Sequence, residues 1–206
     1  MINLKGKFIT IEGCEGVGKS TQIELLKNYC AANNIDAVFT REPGGTTIAE
    51  RIRQIILDPE CKGMDNLTEL FLYAASRAQH IKEIIAPALA MGKTVFCDRF
   101  SDSTIAYQSF GRGLDLELVE NICAYSAKGV IIDYTVFLDL DPIEGFKRIA
   151  IRNSTDRIEQ AGLDFHKRVY SGFKALAKKY PKRLIVVDAS LDVAAVHKNI
   201  VSALKI

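Results

Sequence analysis

Hydrophobic residues along this chain follow two patterns that take turns. Five short runs are rich in β-branched and aromatic side chains: Phe8-Ile9-Thr10-Ile11, Ala37-Val38-Phe39-Thr40, Thr94-Val95-Phe96-Cys97, Tyr134-Thr135-Val136-Phe137-Leu138 and Leu184-Ile185-Val186-Val187. Several of them lack a polar alternate, as strands covered on both faces do. Between the runs lie longer stretches with apolar residues at helical spacing, over 19–33, 46–57, 66–90, 115–127, 142–152, 159–179 and 192–204. Pro142 suits the first turn of a helix, and Gly92 and Pro181 mark helix ends. Strand followed by helix, repeated, predicts an α/β three-layer fold: a five-stranded parallel sheet flanked by helices. No repeat, low-complexity tract or long linker interrupts the pattern, and 206 residues suit one core, so residues 1–206 are read as a single domain.

Composition narrows the function classes. Twenty-seven Lys and Arg against 25 Asp and Glu leave a net charge of +2. With no basic run, a nucleic-acid partner is not expected. Cys14, Cys30, Cys61, Cys97 and Cys123 are odd in number and form no CxxC pair, which fits a reduced, cytoplasmic chain better than a disulfide framework. The N-terminus runs straight into a short apolar strand, too short for a signal sequence or a membrane span, so a soluble protein without a membrane partner is expected. His80, His166 and His197 share no metal-ligand spacing, and structural or solvated roles are expected for them.

The first chemical signal is Gly13-Cys14-Glu15-Gly16-Val17-Gly18-Lys19-Ser20, which matches G-x-x-x-x-G-K-[ST] without a gap. It sits where the motif needs to sit, after the strand at Phe8 and before a helical stretch that opens with Thr21. Glycines let backbone N–H groups turn inward around phosphate oxygens, and the helix that follows adds its own unsatisfied N–H groups and positive end. Lys19 can reach the β- and γ-phosphates, and the Ser20 hydroxyl is a hard oxygen ligand for Mg²⁺. Residues 13–21 therefore read as an ATP phosphate cradle. That reading alone stops at a P-loop phosphoryl-transfer or nucleotide-switch protein.

Three further segments follow in order. Thr40-Arg41-Glu42-Pro43-Gly44-Gly45-Thr46 comes directly after the second strand, Tyr73-Ala74-Ala75-Ser76-Arg77 lies in the long helical stretch, and Asp98-Arg99-Phe100 closes the third strand. At i and i+4, Tyr73 and Arg77 share a helix face. Charged residues at the carboxyl end of a central parallel strand stand where open α/β sheets bind ligands. With the P-loop, these segments resemble the bacterial-type thymidylate kinases, over essentially the whole chain from Phe8 to Ala189.

That resemblance implies an enzyme moving the γ-phosphoryl of ATP, with Mg²⁺, to dTMP, giving dTDP and ADP on the route to dTTP. It implies a cis Glu42–Pro43 bond, Tyr73 stacked on thymine where the family often has Phe, and Arg77 donating to the 4-carbonyl. Thr104 and Gln108 lie near the base edge, Tyr107 lies against the sugar where a 2′-hydroxyl would clash, and Glu15 accepts from the 3′-hydroxyl. Arg99, with Arg53 as a second contact, clamps the acceptor phosphate, and Asp98 helps Ser20 hold Mg²⁺ or its waters. A small lid over about 148–159 supplies a cation to the transferring group, Arg152 first and Arg148 second. Gly16 stands where another subgroup carries a P-loop arginine, which fits a lid-arginine enzyme. Homodimers are common in the family. A kinase of another monophosphate (UMP/CMP, dUMP or AMP) and a nucleotide-dependent switch are the competing readings.

Overall fold

The computed structural model describes residues 5–149 and 156–205. Five parallel strands, β1 (Phe8–Glu12), β2 (Ala37–Arg41), β3 (Thr94–Asp98), β4 (Tyr134–Asp139) and β5 (Leu184–Asp188), form one sheet in the order β2-β3-β1-β4-β5. Every expected strand run lies in it, each one residue longer at its carboxyl end. β1 is central, with β3 on one side and β4 on the other. The chain leaves β1 in one direction for β2 and returns on the other side with β4, so the crevice of an open α/β sheet falls at the carboxyl end of β1.

Helices cover both faces. They are α1 (Lys19–Ala32), α2 (Thr47–Leu57), α3 (Asn66–His80), α4 (Ala86–Ala90), α5 (Ser101–Thr104), α6 (Leu116–Ala127), α7 (Pro142–Ile149), α8 (Leu163–Lys179) and α9 (Val193–Leu204). The stretch expected as one helix over 66–90 is α3 and α4 joined by a π-helical turn, Ile81–Ile85. Gly162, at φ 85°, separates a short 3₁₀ turn at Glu159–Ala161 from α8, which splits the helix expected over 159–179. Residues 150–152 of the helix expected over 142–152 lie outside the described residues.

A short 3₁₀ turn at Pro59–Cys61, α5 and the segment that follows α5 have no counterpart in the sequence reading. After α5 the backbone widens into a π-helical segment, Ile105–Gly111, in which Ile105, Ala106, Tyr107, Gln108, Ser109 and Gly111 are all buried. A helix buried all round has no polar face and hence no 3.6-residue signature. α8 packs so tightly on it that a Cβ at Gly172 would lie 3.0 Å from the Ala106 Cα.

Alternation along the strands sorts the core. Ile9 and Ile11 of β1 join one apolar cluster with Leu26 of α1 and Ile200 of α9. Phe8 joins Val95, Cys97, Ile81 and Ile85 on the opposite face. Each such fully buried side chain contributes about 1.5–3 kcal/mol. On the Phe8 face the next inward positions are polar: Thr10 pairs with Thr135 at 2.9 Å, and Glu12 is fully buried. That polar column leads up to the crevice.

Candidate active site

β1 turns through Gly13–Gly18 into α1, with φ of 146°, 74° and 94° at Gly13, Gly16 and Gly18. A Cβ on Gly16 would overlap the Gly145 carbonyl of α7. The P-loop is thus packed directly on α7, and a side chain at this position has no room. Arg148, one turn further along α7, reaches the Gly16 carbonyl at 3.5 Å. Helices α2, α3, α6 and α9 start with Thr46, Asp65, Asp115 and Asp192, each accepting a backbone N–H. α1 starts at Gly18 with no side-chain cap, so its first N–H groups remain for an anion. Lys19 is buried and donates to the Gly13 and Cys14 carbonyls at 3.1 and 2.8 Å. Burial, then Arg99, lowers its pKa, against the pull of Glu15 and Asp98. The Cys14 thiol is pushed up by burial to about 12, so this residue offers its backbone and not a thiolate.

The second wall comes from β3 and the turn after it. Arg99 adopts φ 68°, an uncommon conformation for a residue with a side chain. Its guanidinium donates to the Gly13 carbonyl at 2.8 Å, to Ser103 Oγ at 3.1 Å and to Glu15 Oε1 at 2.6 Å. It also lies over the Tyr107 ring, 5.1 Å from the centroid. Tyr107 Oη donates to the same Glu15 oxygen at 3.0 Å. Burial would raise the Glu15 pKa, but Arg99 and then Lys19 outweigh it and hold the carboxyl at about 2. Asp98 Oδ1 is buried and has no hydrogen-bond partner among the described residues. It lines the same cleft as Ser20. A lone hard oxygen in the same cleft as a serine hydroxyl fits a Mg²⁺ that keeps several waters.

The far end is built by α3, α5 and the π-helical segment. Arg77 is buried, donates to Glu42 Oε2 and Thr104 Oγ1 at 2.8 Å each, and lies 4.8 Å from the Phe100 ring centroid. Glu42 also meets His80 Nδ1 at 3.1 Å, and the Glu42–Pro43 bond is cis, as expected. Arg53 donates to the Pro43 carbonyl at 2.9 Å. Gln108 Nε2 donates to Glu69 Oε1 at 2.9 Å, while Gln108 Oε1 is buried without a partner among the described residues.

These groups share one cleft of about 680 Å³. Of the expected site residues, Glu15 through Thr21, Arg53, Tyr73, Arg77, Asp98, Arg99, Thr104, Tyr107, Gln108 and Arg148 line it. Gly13 and Cys14 form the buried start of the loop behind it. Arg152 lies outside the described residues. The sequence reading missed the buried carboxylates Glu12 and Glu69 behind the wall, the arginine Arg157, and the pairing of Glu42, named only for its bond to Pro43, with Arg77. A charged residue closing an apolar strand run, as Glu12 does, is the signal that was available.

The family model described as thymidylate kinase matches residues 11–200. The chain belongs to the thymidylate kinase family. A thymidylate kinase of Pelotomaculum thermopropionicum is 46% identical over 201 residues, covering 97% of this chain and 93% of that protein. One of Finegoldia magna is 47% identical over 198 residues, covering 96% and 97%. The crystal structure of the Ehrlichia chaffeensis thymidylate kinase superposes with a TM-score of 0.80 at 36% identity, over 98% of this chain and all of that one. Membership in the thymidylate kinase family makes this chain a nucleoside monophosphate kinase that phosphorylates dTMP. Among the described residues no helix is long and apolar enough to cross a membrane.

Proposed function

We propose that the two nucleotides meet end to end over the start of α1, ATP on the P-loop and dTMP against α3 and the π-helical segment. The observation that carries this reading is the polarity of the far end. The orphan acceptor Gln108 Oε1 and the donor Arg77 line one cleft with the phosphate cradle. An acceptor and a donor lining one cleft complement the N3–H and 4-carbonyl of thymine. Cytosine, with an acceptor at N3 and an amine at C4, opposes both groups. The loop from Ala189 to Val193 lines the opposite end and is tied to α1 by Gln22 Nε2 donating to the Val193 carbonyl, which leaves a wall for the ATP base.

The acceptor is a phosphate whose second pKa lies near 6, so it is mostly a dianion at neutral pH and needs no protein base. The remaining obstacle is repulsion between anions. Lys19 draws the donor phosphates, and Arg99 holds the acceptor phosphate with its planar fork. Arg148 or Arg152 closes over the junction and excludes water. Mg²⁺ bound through Ser20 and Asp98 would neutralise the donor phosphates. Glu15, kept ionised, accepts from the 3′-hydroxyl, and the Tyr107 ring stands where a 2′-hydroxyl would be.

A second reading concerns assembly. Ile48 and Ile55 of α2, Leu67 and Phe71 of α3 and Leu118 of α6 are 37–53% exposed on helices that pack side by side. An apolar face of this kind supports a symmetric homodimer.

ADP release measured with Mg-ATP and, in turn, dTMP, dUMP, UMP, CMP and AMP tests the substrate reading. The highest kcat/KM is expected for dTMP. Equal turnover of CMP, or ATP hydrolysis indifferent to any monophosphate, would refute it.

A further inference from the structure

Glu69 touches nothing that reacts, yet it is the most heavily engaged carboxylate behind the cleft. It is 1% exposed on α3. Oε1 accepts from Gln108 Nε2 at 2.9 Å and from Arg112 Nε at 3.0 Å. Oε2 accepts from Arg112 Nη2 at 3.0 Å and lies 2.5 Å from Arg157 Nη2. Arg157 is itself pinned, with Nε donating to the Ile56 carbonyl at 2.8 Å and its backbone N–H to the Leu57 carbonyl at 3.1 Å. Arg112 in turn lies over the Phe165 ring, 4.4 Å from its centroid. Both arginines are thus held by contacts of their own, with the carboxylate between them.

The consequence falls on Gln108. A side-chain amide has two faces of opposite polarity, and its flip state is set by its neighbours. An ionised carboxylate only accepts, so the Gln108 NH₂ must turn toward Glu69 and Oε1 must turn the other way. Burial would raise the Glu69 pKa, but Arg112 outweighs it and holds the carboxyl below its ordinary range. We infer that Glu69 is a positioning residue that locks the polarity of the Gln108 amide, so that the base pocket presents an acceptor and selects an imide N–H over a ring-nitrogen acceptor. The inference rests on the reading that Gln108 faces the base. A glutamine in place of Glu69 offers an NH₂ as well as a carbonyl, and the amide of Gln108 is then free to turn over.

The experiment is a comparison of kcat/KM for dTMP and dCMP in the full-length enzyme and in Glu69→Gln, Gln108→Ala and the double variant. Glu69→Gln is expected to lower the dTMP-over-dCMP ratio about tenfold, the effect of one reversed buried hydrogen bond, through KM for dTMP with KM for ATP unchanged. In the Gln108→Ala background the same substitution should alter the ratio no further, a dependence that a merely structural role would not show. If Gln108→Ala lowers the ratio and Glu69→Gln does not, Glu69 has no such role while Gln108 still reads the base. If Gln108→Ala leaves the ratio unchanged, the base reading fails and this inference fails with it. Should Glu69→Gln not fold, Glu69→Asp keeps the charge between the arginines and withdraws by one methylene from Gln108. An unchanged ratio there also overturns the inference.

Discussion

Arg99 and Glu15 stand 2.6 Å apart across the floor of the cleft, at the ends of β3 and β1. The arginine holds a left-handed backbone conformation there, and just beyond it Glu12 Oε1 accepts the Phe100 N–H at 2.8 Å. Position, charge and strain all converge on one guanidinium.

Arg99→Lys should therefore behave as a severe change. A lysine brings one point charge where a two-pronged donor is needed, so kcat/KM for dTMP should fall by about 10²-fold or more while KM for ATP stays within about twofold. Steady-state kinetics with each substrate varied separately decides it. A loss confined to ATP would move Arg99 out of the acceptor site.

The lid cation is open to direct comparison. Arg148 lines the cleft above Gly16. Whichever of Arg148→Ala and Arg152→Ala removes the group on the transferring phosphoryl should lower kcat by about 10³-fold or more with little change in ATP affinity. Single-turnover rates and a fluorescent ATP analogue separate the two effects. If both substitutions alter affinity alone, the lid supplies no catalytic cation.

Stability should carry the mark of Glu12. Burial, and then the neighbouring Asp102, push its pKa up from 4.5 to about 8. Asp102 is itself paired with Arg183 at 2.7 Å, and Ser103 Oγ donates to Glu12 Oε2 at 2.5 Å. Between those two pKa values the folded chain binds a proton that the unfolded chain has released, so this group's contribution is full at low pH and is lost as pH rises toward 8. Glu12→Gln should cancel that slope, gaining on the parent by about 3 °C or more in melting temperature between pH 5 and 8.5. Parallel melting curves for the two proteins would contradict the assignment.

Assembly has a single-residue test. Phe71 is 53% exposed on α3, amid other apolar side chains of α2 and α6. Phe71→Glu adds a charge to that face without touching the cleft, and should turn a dimer into a monomer by light scattering. A wild-type chain that already runs as a monomer would dispose of the homodimer.

What sequence decided here is what is local in the chain. Strand runs such as Phe8–Ile11 carry their own signature because burial on both faces removes polar alternation. The P-loop is contiguous because one turn must gather several N–H groups around one anion. Glu42–Pro43 and Asp98–Arg99 could be placed at the sheet's carboxyl edge for the same reason, since one directly follows a strand and the other closes one. Tertiary structure decided what depends on distant partners. The π-helical segment at Ile105–Gly111 is buried under α8, and no periodicity within it reveals that partner. Gly16 is compelled by the carbonyl of Gly145, 129 residues away in the chain. The orientation of Gln108 rests on Glu69, whose own charge is held by Arg112 and Arg157. A cluster of hydrogen bonds and an ion pair that joins α3, the π-helical segment and Arg157 leaves no pattern along the sequence, because its spacing exists only in space.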